Sequence, residues 1–462
     1  MKLHLTGFFG MLVALILVAP AFAQRPADFG QQWVRQHPFT LMGLQQSPQK
    51  FDVAEHRAAN MSSVLVWWAD GNGKQIAAPA SAGDMPWHAL IVDGEGDERD
   101  RIADYASVGN SIGWMMGDEV DGSMMSFFDD VGDWVKQNRP NDLVYTNALP
   151  TYAGFPDYPA YLQQIVDNMH PDVLMYDHYP YVENLMRHDY FQNLMFVRDK
   201  ALEHNLPYWA FMQSSALAAY RLPSKSDARM QAFTHLAAGF TGLAYFTFDN
   251  EPSFQYASIL DTAGNPTGLY PIVADLNKEA ANLGRALRFM TSDDVKYLPG
   301  RHVANGQIVT NPVPLGMTAW TAANDPDEHI LAITIESIGS QTGAGLDGLI
   351  GFFRDDNGDE AFMIVNTYHG PSVPATSAFT VTVRFDASVQ SILELDRITG
   401  EQKVISVPAH GNLSISLPAG TGRLFKYNEG DFLLAAVPEP GTLGGAVTAL
   451  AVCALARRRR LS

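Results

Sequence analysis

The sequence predicts an α/β fold, a (β/α)8 TIM barrel followed by an all-β sandwich domain. Two observations carry that prediction. Between residues 39 and 289, eight short apolar runs alternate with amphipathic stretches. Beyond Met290 the helical spacing stops, and strand-like runs follow one another with Gly, Asn, Asp and Pro between them.

The eight runs are residues 39–44, 63–68, 87–92, 112–116, 143–147, 173–176, 208–212 and 243–248. Several are apolar throughout, which suits strands covered on both faces of a parallel sheet. Between them, residues 52–60, 99–108, 124–138, 158–169, 191–204 and 228–238 space their apolar side chains three and four apart, as core-facing helices do. Asn205 and Gly239 stand where helices stop. Residues 271–289 supply the last helix. Residues 69–86, rich in Gly, Ala and Pro, read as a loop with at most a short helix. Eight such units in about 250 residues match a closed barrel. An open doubly wound sheet is the alternative, but no Gly-rich phosphate turn follows the first run.

In the second part, residues 308–313, 329–335, 362–366, 379–385, 392–396, 413–417 and 423–427 alternate or run apolar, the pattern of an antiparallel sandwich. The stretch from Asp355 to Glu360 has the acids of a calcium loop without EF-hand spacing. Its Asn357-Gly358 pair predicts a hairpin turn instead.

Both ends read as targeting segments. A short positive start, an apolar core and Ala21-Phe22-Ala23 predict a signal peptide over residues 1–23. At the other end come Val437-Pro438-Glu439-Pro440, a short apolar stretch and four arginines at 457–460. The stretch is shorter than a standard spanning helix, and the arginines would stay cytoplasmic. This tail resembles the PEP-CTERM sorting signal of Gram-negative bacteria. The resemblance implies a sorting protease at the inner membrane as partner, and export to the cell envelope or the extracellular space. A plain C-terminal anchor is the other reading and shares the export. The expected organisation is therefore a signal peptide (1–23), a barrel (24–290), a sandwich (291–428), a spacer (429–436) and a sorting tail (437–462).

Lys and Arg number 31 against 50 Asp and Glu, a formal charge of −19. That balance argues against nucleic acid, whose phosphates demand a basic face. The one cysteine, Cys453, lies in the tail, so the body has neither disulfide nor thiolate chemistry. No His-Glu-x-x-His and no Gly-x-Ser-x-Gly occurs, and no cofactor or metal is expected.

A barrel carries its function at the C-terminal ends of its strands. The fourth run ends in Gly117-Asp118-Glu119, two carboxyls at the mouth of an apolar barrel. The Asp121-Gly122-Ser123 that follows suffices to cap the next helix, leaving Asp118 and Glu119 for function. The sixth ends in Tyr176-Asp177-His178-Tyr179-Pro180-Tyr181, aromatic faces beside polar groups, which suits sugar rings or else an aromatic plug with a core Asp–His pair. Gln213 ends the seventh run, Asp249 and Glu251 the eighth, and Trp68 and Asp70 the second; Asp93 ends the third.

Three of these stretches carry a second resemblance: Gly117-Asp118-Glu119, Asp177-His178-Tyr179-Pro180, and the helix, glycines and aromatic strand across 229–250. Together they resemble the clan-A glycoside hydrolases, including family 42 β-galactosidases. The resemblance implies a carbohydrate substrate and makes Glu119 the general acid. It departs in two places. Asp118 stands where the family has Asn, and Gln213 stands where it has its nucleophilic Glu. An amide cannot attack an anomeric carbon as a carboxylate does. The second carboxylate then comes from Asp177, Asp249 or Glu251, with Asp177 the first choice, supported by His178 and Tyr176. Trp68, Asp118, Tyr179 and Gln213 join the expected substrate contacts. The alternative function is a non-catalytic carbohydrate-binding or exopolysaccharide-associated envelope protein.

Overall fold

The computed structural model describes residues 25–67, 73–90, 96–183, 185–250, 256–339, 346–374, 377–427 and 430–435. The expected signal peptide and sorting tail lie outside them.

Eight parallel strands close into a ring in chain order: β1 (Thr40–Gln45), β2 (Ser63–Val66), β3 (Trp87–Leu90), β4 (Ser111–Asp118), β5 (Leu143–Ala148), β6 (Val173–Asp177), β7 (Tyr208–Gln213) and β8 (Gly242–Phe246), with β8 pairing back onto β1. Closure leaves no sheet edge, and side chains alternate between the ring's interior and its helical coat. Met42, Leu44, Leu65, Leu90, Met115, Tyr145, Met175, Trp209 and Phe211 fill the interior, and Trp33 of the N-terminal helix Phe29–Gln36 packs in the same cluster. Leu41, Val64, Val66, Trp114, Leu174, Ala210 and Leu243 face the coat. Each strand is buried on both sides, which is why the sequence shows it as an apolar run.

Helices follow the strands: α1 (Val53–Ala58), α2 (Lys74–Ala82), α3 (Glu98–Ala106), α4 (Met125–Asn138), α5 (Tyr158–Met169), α6 (Tyr190–Glu203), α7 (Lys225–Ala237) and α8 (Tyr270–Leu287). The sequence reading allows at most a short helix where α2 stands. This helix buries only Ile76, Ala77 and Ala80 against β2 and β3 and carries Pro79 within it. Small residues packed close leave no large apolar stripe to read. Ahead of α4, Asp121 accepts hydrogen bonds from the backbone and hydroxyl of Ser123, and the helix has no side-chain cap.

A six-stranded antiparallel sheet follows, in the order Met290–Leu298, Gly348–Asp355, Glu360–Asn366, Gly422–Tyr427, Ser391–Leu395 and Gln402–Ser406. One face packs Ile350, Phe352, Phe362, Ile364 and Phe425 against a three-stranded sheet bearing Phe379, Val381, Val383 and Leu417. The other face packs Leu349, Phe353, Met363, Val365 and Leu424 into the barrel's helical layer. The sandwich is thus seated on the barrel. Contact is close enough that a Cβ on Gly351 would fall 1.8 Å from the Ala237 carbonyl oxygen of α7. At the same seam Arg229 of α7 grips Glu279 of α8 through two bonds of 2.9 and 2.7 Å. Its Nε donates to Thr421 of the sandwich at 3.0 Å.

The stretch from Asp355 to Glu360 is a hairpin turn between two strands of this sheet. Asp355 Oδ1 accepts from the backbone of Asn357 and Asp359 at 2.9 and 3.0 Å. A cation does sit among these acids: the Lys426 ammonium, 3.0 Å from Asp355 and 2.6 Å from Asp359, fully buried, with a third bond to the Asp431 carbonyl at 2.9 Å. Removing one partner of such a buried group strands the other charge. Lys426→Met is therefore expected to cost roughly 3–5 kcal/mol in urea unfolding. A loss below about 1 kcal/mol would place the pair in solvent-like surroundings.

Candidate functional site

Strict alternation along β4 would turn Asp118 toward the helices, since Met115, three residues earlier, faces the interior. A bulge prevents this. Met115 pairs with Tyr145, yet Asp118 pairs with Asn147, so β4 spends one more residue than β5 over the same interval. Met116 and Gly117 both lie on the helical side. A Cβ on Gly117 would come within 2.5 Å of Val120 and 3.0 Å of Phe128, so the extra residue needs to be this small. Asp118 is thereby aimed into the barrel mouth.

Asn147 of β5 braces the result. Its Nδ2 donates to Asp118 Oδ1 at 2.8 Å, and its carbonyl accepts from the Glu119 amide at 3.0 Å. Glu119 has φ of 54°, a left-handed conformation uncommon outside glycine, and its side chain is exposed.

The mouth is a cavity of about 370 Å³, within the range of small-molecule sites. Asp118, Glu119 and Asp177 line it together with Trp67, Tyr152, Tyr179, Phe211, Tyr220, Phe246 and Tyr256. Three carboxyls thus share one aromatic-walled cleft. Asp177 lies beside Glu119 and Tyr179, and its Oδ1 is buried without a hydrogen-bond partner. Burial, then the neighbouring Glu119 and Asp118, holds Asp177 well above the usual aspartate range. Burial also pushes Asp118 up to about 7; the Asn147 bond opposes this and Glu119 adds to it. Among the described residues, no group of three or more His, Cys, Asp or Glu is arranged to hold a metal.

The sequence-expected residues divide sharply. Asp118, Glu119, Asp177 and Tyr179 meet in the cavity. Tyr176 and His178, alternating with them on the same strand end, point the other way. Tyr176 hydrogen-bonds His235 of α7 at 2.9 Å, and His178 pairs with Asp189 at 3.2 Å beneath Tyr190. Neither touches substrate space, and His178 supports Asp189 rather than Asp177. Asp249 is wholly buried, with its two oxygens taken by the backbone of Gln46 and Ser47 at 2.7 and 2.9 Å, which leaves none for a ligand. Trp68, Asp70, Asp93 and Glu251 lie outside the described residues. The sequence reading missed Asn147, the brace, and the loop aromatics Tyr152, Tyr220 and Tyr256. Asn147 was legible as the last polar inward position of β5; the loop residues carry no periodic signal.

Gln213 does not line the cavity. Its Nε2 donates to the Tyr181 and Arg221 carbonyls at 3.0 and 2.8 Å, and its Oε1 accepts from the Tyr181 amide at 2.8 Å. The amide's two-way bonding is therefore fully used in holding loops over β7.

No family model matches the sequence, and no curated protein matches it. Among solved structures, the chain is similar in fold to a GH42 β-galactosidase from G. stearothermophilus. The TM-score is 0.51 at 8% sequence identity, over 84% of this chain and 98% of that one. A GH51 α-L-arabinofuranosidase from Thermotoga petrophila RKU-1 aligns over 85% of this chain and 96% of its own, with a TM-score of 0.45 and 9% identity. The first likeness is one of architecture. The chain shares with that β-galactosidase a closed eight-stranded parallel barrel followed by β-sheet.

A glutamate at 213 would face two carbonyl oxygens with nothing to donate. Gln213→Glu is expected to lower stability by about 1–3 kcal/mol and to bring no gain in glycoside turnover. A stable variant with new activity would show that the side chain at 213 can swing into the cleft.

Proposed function

We propose that the chain is an exported glycoside hydrolase acting on an oligo- or polysaccharide. The observation that carries this is the convergence of Asp118, Glu119 and Asp177 in one aromatic-lined mouth. Aromatic faces stack on sugar C–H surfaces, and carboxyls bind hydroxyls and move protons.

The roles follow from exposure and protonation. Glu119 is the carboxyl open to the cavity, and it protonates the leaving oxygen. Asp177, buried beside it and held well above the usual aspartate range, is the second carboxylate of the mouth. Asp118 is the remaining carboxyl on the cavity wall among the described residues. Its raised position suits it to take a proton from the attacking water near neutral pH.

Glu119→Gln should cut turnover of ordinary glycosides by about 10²–10⁴-fold and spare substrates with good leaving groups, which need little protonation. Asp118→Asn should slow both kinds. Equal loss on both substrates in the Glu119 variant would remove the acid assignment. One observation favours a non-catalytic sugar-binding protein instead, namely Gln213 committed to structure where a nucleophile is expected. A wild-type protein that binds glycans yet releases no reducing ends across a broad panel would decide for that reading.

Export rests on the two ends of the sequence. The mature protein from the native host is expected to begin near Gln24 and to lack the arginines at 457–460. Mass spectrometry of the envelope fraction reads both ends, and retained arginines would indicate an anchor rather than a processed tail.

A further inference from the structure

A second cavity, of about 220 Å³, opens between the barrel and the sandwich. Arg187, His188 and Phe191 line it from the barrel, and Asp347, Tyr368 and His369 from the sandwich. It adjoins the mouth: the Arg187 guanidinium lies 3.9 Å from the centre of the Tyr152 ring, and Tyr152 is part of the mouth wall.

Arg187 is unusual in this acidic chain. Arg35, Arg198, Arg221, Arg229, Arg354 and Arg423 each grip a carboxylate. Arg187 meets none among the described residues, and its Nε is buried without a hydrogen-bond partner. With its carbon over the Tyr152 ring and no carboxylate partner among the described residues, the guanidinium has its terminal N–H groups for an anion. The rest of the wall offers sugar-binding chemistry. His369 bonds the Thr367 carbonyl through Nδ1 at 2.9 Å, and burial keeps the ring neutral, so Nε2 is an acceptor for a hydroxyl. Asp347 Oδ1 is engaged by the Gly300 amide and Asn311, and the carboxylate also neighbours the Tyr297 hydroxyl in the cavity wall. Phe191 and Tyr368 add ring faces.

We propose that this cavity is a subsite for a uronic acid residue, with Arg187 binding its carboxylate, so that the substrate is an acidic rather than a neutral glycan. The inference deepens the carbohydrate reading and depends on it, but not on catalysis. The cavity has the size for one ring, and the mouth beyond Tyr152 takes the neighbouring residue.

The test uses the full chain with Glu119→Gln, so that binding is read without turnover. Glucuronate and galacturonate are titrated beside glucose and galactose by ligand-observed NMR. The uronates are expected to bind tighter than their neutral parents by about tenfold or more, the range of a charge-assisted hydrogen bond. Raising salt from about 50 to about 500 mM should weaken the uronates alone. Arg187→Met keeps the apolar stem over Tyr152 and should abolish the preference, while Arg187→Lys should restore part of it. Equal binding of acid and neutral sugars, a preference that survives Arg187→Met, or no binding of any of the four would overturn the subsite. A missing hydrolytic activity with the uronate preference intact would overturn only the hydrolase reading.

Discussion

Closing eight parallel strands into a ring obliges successive side chains to face in and out by turns, and the mouth depends on the one interval where β4 departs from that rule. Without the extra residue between Met115 and Asp118, Asp118 would be driven into the helical layer, where its charge has no partner. The bulge has its own requirements. Gly117 must be small enough to lie against Val120 and Phe128, and Asn147 must hold Asp118 by its side chain and Glu119 by its backbone. A four-residue local geometry thus decides whether the barrel has a reactive mouth.

The carboxyls of the mouth illustrate how depth and hydrogen bonding act on neighbouring acids in one cleft. Asp177 is fully enclosed and faces two neighbouring carboxyls, and both effects raise it. Burial raises Asp118 too, while the bond from Asn147 opposes the rise. Glu119 projects into the open cavity.

Much of this was legible in the sequence. The eight barrel strands were readable because burial on both faces turns each into an apolar run. α2 was hidden because Ala77 and Ala80 pack by being small. In the sandwich, Met290–Leu298 was missed because it is an edge strand whose Thr291 and Asp293 break the pattern. Gly348–Asp355 was missed although it is among the most buried strands. Its apolar run was as plain as those of the barrel. At the site, position along the strand identified the right carboxyls. Period two also separates Asp177 and Tyr179 from Tyr176 and His178, a distinction the aromatic clustering obscured. Gln213 and Asp249 sat at the expected strand ends, and only the fold reveals that loop backbone consumes their polar atoms. Tyr152 and Tyr220 come from loops, where spacing carries no geometric information.

The hairpin closed by Lys426 has a further consequence. A metal ion in such a ring of acids exchanges with a reservoir, so its occupancy follows the concentration outside. An ammonium carried on a neighbouring strand is tethered, and its effective concentration at Asp355 and Asp359 is set by the fold. This corner of the sandwich therefore brings its own counter-ion, and its pairing does not depend on the calcium concentration of the medium.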